Sequence, residues 1–188
     1  MSSSSSSSDM KTYTSSRDQD ECQPEPEDKN IYSVQYHIFD TNHQSLVLDQ
    51  DQFILKAVPR KHDEPAETFD VLPAYIEDVD INPIFLAVLN GELCLCCDVV
   101  NEEPTLQLKN INIQTLNSLK YNDRLPFTFL KEKNGSVFTL ESMKNPGYFI
   151  YTTMMPGQPV GVTKEIDKNN IYFDFEPVNM NLNDQEAK

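Results

Sequence analysis

Three cysteines in one short run are the residues whose chemistry would be most distinctive. Cys94, Cys96 and Cys97 crowd into the apolar stretch LCLCCDVV, and closely spaced thiolates can act as zinc ligands or nucleophiles. A zinc site needs a second pair of ligands at a distance, and the three histidines, scattered between residues 37 and 62, do not supply one. The thiols are therefore predicted to be buried in a strand, and no metal is expected.

An acidic run, Asp78-x-Asp80-x-Asn82, begins like a calcium-binding loop. Pro83 stands where that loop needs glycine and Leu89 where it needs a bidentate glutamate, so an exposed acidic loop is predicted instead. The sequence has no nucleophile elbow, phosphate loop or dinucleotide fingerprint, and only five glycines are present to build one. The chain is predicted not to be an enzyme and to carry no cofactor.

The elements that would position these residues are short strands. Apolar and polar residues alternate in runs that turn residues separate, as in FTFLKEKNGSVFTLES with its Asn134-Gly135 turn. The pattern predicts twelve strands, at residues 34–39, 45–48, 53–58, 68–76, 84–89, 93–99, 105–109, 127–131, 137–141, 148–152, 160–163 and 171–177.

The twelve strands fall into three sets of four with similar spacing. The middle hairpins of the sets are predicted to be SLVLDQDQFILKAV, IFLAVLNGELCLCC and YFIYTTMMPGQPVGVT. A threefold repeat of four strands predicts an all-β fold, a β-trefoil with a closed six-stranded barrel and three hairpin caps. A β-sandwich or jelly roll is the alternative, and the long connection from Asn110 to Pro126 is expected to hold a helical turn.

The two ends of the chain differ from this domain. Residues 1–30 contain seven consecutive serines and an acidic, proline-containing stretch, which predicts a disordered, propeptide-like tail. Residues 31–180 are assigned to the trefoil and residues 181–188 to a C-terminal tail. No signal peptide or membrane span is found, so synthesis in the cytosol with free thiols is expected, followed by unconventional export if the protein acts outside the cell.

The net charge of −15 divides into −4 before residue 33, from seven acids and three bases, and −11 after it, from 23 acids and 12 bases. Nucleic acid is a poor partner for such a chain, because its binding depends on clustered lysine and arginine. A partner with a basic face is favoured, although the charge would also serve solubility alone.

Several motifs in a fixed order resemble the interleukin-1 family of cytokines: PTLQLK at residues 104–109, then PFTFLKEKNGSVFTLES, NPGYFI and QPVGVT. The likeness covers about residues 33–178. The first hairpin and the last strand are most similar to the interleukin-37 branch of that family, with the interleukin-36 group next. Leu140 and Tyr148 depart from residues common in the family, a Phe and a Trp respectively, but both remain apolar.

The resemblance implies a leaderless β-trefoil ligand that binds the immunoglobulin-like ectodomains of interleukin-1-family receptors. For the interleukin-37 branch it implies suppression of inflammation through the interleukin-18 receptor α chain, with self-association and a nuclear role as further options. An agonist of the interleukin-36 kind and an intracellular regulator remain alternatives. A sugar-binding trefoil and a protease inhibitor are disfavoured, because repeated sugar pockets and disulfides are lacking.

The resemblance also implies processing. Ile38-Phe39-Asp40 matches the aliphatic-x-Asp element of the family, and counting back nine residues gives Lys29 as the first residue after cleavage at Asp28. An aspartate-directed caspase is a candidate protease, with Asp20 as a second site. Because Lys29 is unfavourable after a caspase cut, another protease remains open.

Loops of a trefoil present its binding residues, so the receptor-contact candidates come from three connections. They are Glu77, Asp78 and Asp80, then Met154 and Met155, and finally Lys164, Glu165, Asp167 and Asn170. Asn134 begins a glycosylation sequence, Asn-Gly-Ser, which stays unused unless the chain enters the secretory route.

Overall fold

The structure is a computed structural model, and it describes residues 32–77 and 80–178. With the exception of Tyr32, these residues belong to a compact unit that begins at Ser33. The predictions made for the N-terminal tail, for Asp78 and for residues 181–188 lie outside the described residues.

Within the described ranges the chain forms thirteen strands. They are β1 (Val34–Asp40), β2 (Gln44–Asp49), β3 (Ile54–Pro59), β4 (Phe69–Pro73), β5 (Pro83–Val88), β6 (Leu93–Val100), β7 (Glu103–Asn110), β8 (Phe129–Asn134), β9 (Val137–Ser142), β10 (Phe149–Tyr151), β11 (Gln158–Pro159), β12 (Gly161–Thr163) and β13 (Phe173–Pro177). Every predicted strand overlaps at least one of them.

Six strands close a barrel. In order around it, β1 pairs with β4, β4 with β5, β5 with β8, β8 with β9, β9 with β13 and β13 with β1, all antiparallel. Closure gives each barrel strand a hydrogen-bonded neighbour on both sides, so the barrel has no open edge. The predicted β-trefoil is confirmed, and the sandwich and jelly-roll alternatives are wrong.

Three hairpins cap the barrel, but the second differs from the one predicted. The caps are β2–β3, β6–β7 and β10–β12. The run IFLAVLNGELCLCC was predicted to form the second cap, yet its strands β5 and β6 pair only at Ala87–Cys94 and Val88–Leu93. β6 instead runs on into an eight-pair ladder with β7. The prediction failed because β5 and most of β6 are buried on both faces, so alternation does not show where the barrel ends and the cap begins.

A strand was predicted at residues 160–163 only, but the structure adds a short strand directly before it with a different partner, which raises the strand count from twelve to thirteen. Gln158 and Pro159 pair with β3, whereas Gly161–Thr163 pair with β10. Between them, the Val160 amide donates to the Leu55 carbonyl at 2.9 Å. Sequence alternation cannot show such a change of partner, because the backbone stays extended across it.

The turn between β8 and β9 lies one residue later than the Asn134-Gly135 prediction. Asn134 pairs with Val137 as the last residue of β8, leaving Gly135 and Ser136 as a two-residue loop. Gly135 has φ of 68° and occupies the first loop position, as in a type II′ turn. Asn134 is exposed at the end of its strand, and its glycosylation stays a prediction.

The long connection from Asn110 to Pro126 holds helical turns, as predicted. A 3-10 helix spans Ile113–Ser118, α1 spans Tyr121–Arg124, and a second 3-10 helix spans Leu125–Phe127. The Asn112 side chain caps the first by accepting the Gln114 amide at 2.8 Å. Burial of Ile113 and Leu116 fixes this connection to the domain.

The three cysteines of β6 are buried free thiols, as predicted; Cys22 lies outside the described residues. Loss of hydration on burial raises the pKa of Cys94 to about 12 and that of Cys96 to about 11. Burial also raises the pKa of Cys97, although contacts with Ser142 and Asn145 partly oppose it. These thiols therefore remain protonated, and unreactive as nucleophiles, at neutral pH.

The raised thiol pKa values predict that the domain loses stability above pH 9.0, the ordinary cysteine value. Above that pH the unfolded chain releases protons that the native domain retains, so the free energy of unfolding falls as pH rises. The slope reaches about 1.4 kcal/mol per pH unit for each thiol. Urea unfolding under reducing conditions between pH 8 and 10.5 measures it.

A Cys94→Ala/Cys96→Ala variant is the matched control and should have a flatter pH profile. Burial lowers the pKa of Lys131, which increases stability as pH rises just below 10.5 and so acts in the opposite direction. The thiol contribution is therefore the difference between the two profiles. Identical slopes for the variant and the natural chain would contradict the assignment.

Candidate functional site

β1 ends on a buried carboxylate, Asp40, which is 3% exposed and accepts four hydrogen bonds. Its Oδ1 accepts the backbone amides of Asn42 at 2.9 Å and Gln44 at 2.8 Å. Its Oδ2 accepts Gln44 Nε2 and Thr152 Oγ1, both at 2.7 Å. Asp40 is the last residue of the aliphatic-x-Asp element, and Ile38, the first residue, packs in the core. The element thus ends in a buried carboxyl group whose oxygens are satisfied by hydrogen bonds from its own turn and from Thr152.

The hydrogen bonds of Asp40 continue into two further connections. Gln44 Nε2 also donates to the Thr153 carbonyl at 2.9 Å, which anchors the start of the β10–β12 hairpin tip. Thr152 and Asn170 exchange both backbone hydrogen bonds, at 2.9 and 3.1 Å. Thr41 Oγ1 donates to Asn170 Oδ1 at 3.1 Å. We call the loops joined in this way, residues 41–43, 153–157 and 164–170, the network face.

Two of the predicted receptor-contact groups lie on the network face. Met154 and Met155 are 77% and 66% exposed, with no partner in the hydrophobic core. Lys164, Glu165 and Asp167 are also exposed, in the loop before β13. Asn170, the last residue of that loop, is bridged to Thr152 beside the hairpin tip, whereas Lys164 follows Thr163, which pairs with Phe149 at the opposite end of the hairpin.

Asn170 has a different place from the other candidates, because it is half-buried and fixes the loop. Its Oδ1 accepts both Thr41 Oγ1 and the Tyr172 amide, at 3.1 and 3.2 Å. Its Nδ2 is buried without a hydrogen-bond partner. Sequence reasoning picked this position as a contact but missed its bond to Thr41, which joins residues 129 apart in the chain.

The remaining candidates lie at the other end of β1. Glu77 and Asp80 are exposed on the β4–β5 connection. This connection follows the end of β4, whose Val71 pairs with Val34 at the start of β1. Because seven residues of strand span about 20 Å, the acidic loop and the Asp40 network are separated by roughly that distance. The candidates therefore form two surfaces.

The acidic loop borders a groove of about 830 Å³, lined by Tyr75, Ile76, Glu77, Ile81, Tyr121, Arg124 and Met143. Arg124 Nη1 donates to the Tyr75 carbonyl at 3.0 Å, which joins α1 to the loop. Tyr75 and Tyr121 are about half-exposed. Tyrosine, arginine and methionine are enriched at the centres of protein interfaces. Of the residues that line the groove only Glu77 was among the predicted contacts, since the others come from three connections and follow no period.

A lysine–aromatic cluster near the start of β1 was also missed. Lys131 Nζ lies 4.2 Å from the ring centroids of Phe138 and Phe175 and 5.2 Å from that of Tyr36. The rings attract the ammonium group, while its partial loss of water lowers the pKa of Lys131. The lysine and the three rings belong to the same chain, so we assign this cluster to stabilisation of the fold and not to binding of a partner.

In the part of the chain that the structure describes, no group of three or more His, Cys, Asp or Glu residues is arranged to hold a metal ion. The same residues contain no helix long and apolar enough to cross a bilayer. Most of the candidate residues lie on exposed loops of a closed barrel. The fold places the chain among the β-trefoil proteins.

Comparisons with known proteins place the chain within a family. Residues 60–176 match the family model for Interleukin-1 / 18. Interleukin-37 of Homo sapiens is 37% identical over 159 residues, which cover 81% of this chain and 72% of the relative. The interleukin-1 receptor antagonist protein of Rattus norvegicus is 32% identical over 128 residues, 68% of each chain. The chain belongs to the interleukin-1 family of cytokines, whose members are not enzymes.

Solved structures agree with this assignment. The solution structure of the pro-inflammatory cytokine interleukin-36alpha has a TM-score of 0.62 at 32% identity, covering 78% of this chain and 94% of that one. A Gallus interleukin-1 beta mutant has a TM-score of 0.68 at 24% identity, covering 78% and 98%, which supports the fold. The predicted family resemblance and the likeness to interleukin-37 are confirmed.

The Asp40 network predicts that Asp40→Asn destabilises the domain by about 2–4 kcal/mol. An amide at this position replaces one carboxylate oxygen with an NH2 donor, and because each oxygen now accepts two hydrogen bonds, two of the four contacts become unfavourable. Asp51→Asn, in an exposed turn, is the matched control and should change stability by less than about 0.5 kcal/mol. Urea denaturation of both variants measures the difference, and equal stabilities would contradict the role given to Asp40.

Proposed function

We propose that this chain is a cytokine ligand of interleukin-1-family receptor ectodomains and that it suppresses inflammatory signalling, with the interleukin-18 receptor α chain as the favoured partner. The observation that carries the proposal is the network face. It presents exposed apolar side chains from a hairpin tip whose backbone is anchored at both ends, by Gln44 Nε2 at the Thr153 carbonyl and by the Gly157 amide at the Ala57 carbonyl. A fixed tip loses little conformational entropy on binding, which favours affinity.

The suppressive direction is supported by the relatives of the chain. Interleukin-37 and several interleukin-1 receptor antagonist proteins are among the proteins it resembles. The likeness to interleukin-36alpha, a pro-inflammatory cytokine, favours agonism as the second candidate. A suppressor would occupy a receptor without activating it, whereas an agonist would activate a cell reporter. An intracellular or nuclear role would follow if no ectodomain bound.

We also propose that the chain matures by proteolysis near Asp28, with Lys29 as the first residue of the active form and Asp20 as a second site. A caspase or another protease would make the cut, and secretion would follow an unconventional route. β1 begins at Val34, and the first hydrogen bond of the folded unit near it is Ser33 Oγ to Asp70 Oδ2 at 2.7 Å. Cleavage after Asp28 therefore leaves the described strands whole. Homodimerisation is a further option for this protein.

Replacing the exposed methionines with a charged residue should weaken receptor binding. A Met154→Glu/Met155→Glu variant is expected to lose at least about tenfold in affinity, because charge replaces apolar contact surface at the tip. Val99→Glu, on the separate β6–β7 cap where Val99 is 51% exposed, is the matched control and should stay within about twofold. A Glu77→Lys/Asp80→Lys variant tests the other surface in the same way. Surface plasmon resonance against a panel of interleukin-1-family receptor ectodomains gives the affinities.

Processing predicts that the Lys29-to-Lys188 chain is more active than the full chain. Both forms would be tested on cells with a reporter of inflammatory signalling, alongside binding to the ectodomain panel. Binding to the interleukin-18 receptor α chain without activation supports the suppressor, while activation through the interleukin-36 receptor supports the agonist. Equal activity of the two forms would contradict a functional role for the cut, and absence of binding to every ectodomain would overturn the proposed function.

A further inference from the structure

We infer that Met154 and Met155 form an oxidation site that a peroxide modifies before the thiols of the domain, and that their oxidation removes the apolar contact of the network face without unfolding the protein. The effect on receptor binding rests on the proposed function. The order of oxidation and the preservation of the fold are independent of the proposed function.

The first step of the argument is accessibility. Met154 and Met155 are more exposed than any other large hydrophobic residue between Ser33 and Val178 that the structure describes. Met143, by contrast, is partly buried beside the groove at the far end of β1. A thioether reacts without first losing a proton, so exposure is the main control on its reaction with peroxide.

The second step concerns the competing thiols. A cysteine reacts with peroxide as the thiolate, and Cys94, Cys96 and Cys97 are buried with pKa values raised by loss of hydration. Burial and protonation therefore both protect these cysteines from oxidation by peroxide. In the folded domain the exposed thioethers are left as the most readily oxidised sulfur atoms.

The third step is that the fold does not depend on the methionine side chains. The tip is held by the Thr153 carbonyl, which accepts Gln44 Nε2, and by the Gly157 amide, which donates to the Ala57 carbonyl at 2.7 Å. Beyond the tip, Gln158 and Pro159 pair with β3. All of these anchors use backbone groups of the hairpin, so changing the two sulfur atoms leaves them intact.

The reaction is a two-electron oxidation by hydrogen peroxide. The methionine sulfur attacks one peroxide oxygen, the O–O bond breaks, a sulfur–oxygen bond forms and the peroxide is reduced to water. The product is a sulfoxide, which is polar and accepts hydrogen bonds, so the tip no longer presents an apolar surface. Methionine sulfoxide reductases reverse the change, with a separate enzyme for each sulfoxide epimer.

The test exposes the full chain to a series of hydrogen peroxide concentrations and locates added oxygen by peptide mapping. We expect Met154 and Met155 to gain oxygen before Met143 and before the three β6 cysteines, while the urea midpoint stays unchanged. Earlier oxidation of Met143 or of a β6 thiol would overturn the inference, as would unfolding in step with oxidation of the tip.

The binding arm compares the oxidised natural chain with a Met154→Leu/Met155→Leu variant treated identically. We expect about tenfold or greater loss of receptor affinity for the natural chain, recovery after treatment with both reductases, and no loss for the leucine variant. Unchanged affinity of a fully oxidised tip would overturn the stated consequence. Failure of the unoxidised chain to bind any ectodomain would instead overturn the proposed function, and peptide mapping would still decide the order of oxidation.

Discussion

The carboxylate of Asp40 is the constraint on which the arrangement of the network face depends. A charged group this deeply buried is tolerated only when donors replace its lost water, and four donors do so. Two of them are backbone amides of its own turn, and the others belong to Gln44 and Thr152. Satisfying this one group therefore fixes the turn after β1 and joins it to Thr152, which directly follows β10 and lies 112 residues later in the chain.

The strands of the barrel were predictable because the sequence signals that define them are local. Strands with one buried face alternate, and turn residues separate them, so strand positions and the threefold repeat could be found in the sequence. The prediction failed where that signal is absent. β5 and the first part of β6 are buried on both faces, so their residues do not alternate and the second cap was placed wrongly. The backbone stays extended through Val160, so the sequence does not show that the chain changes its pairing partner there.

The candidate site was predictable only in part, for a related reason. Methionines beside a Pro-Gly turn and charged residues before the last strand are typical of exposed loops, so the exposure of Met154, Met155 and Lys164 could be predicted from sequence, while their contact role stays a prediction. The hydrogen bonds of Gln44 to Thr153 and of Thr41 to Asn170 connect residues more than 100 positions apart. No local pattern encodes such contacts, and the same is true of the groove formed by Tyr75, Tyr121 and Arg124.

The two surfaces differ in how the fold supports them, and this difference bears on how a partner would use them. The network face rests on buried hydrogen bonds, so its apolar tip is held in place before any partner arrives and little is lost in ordering it. The groove beside Glu77 is built from half-exposed aromatic residues that a partner would have to desolvate. β1 separates the two by roughly 20 Å, so a partner that contacts both must have two binding regions of its own or bend around the barrel. A second contact made by the same partner is effectively intramolecular, so even a weak groove would add to the affinity of the network face.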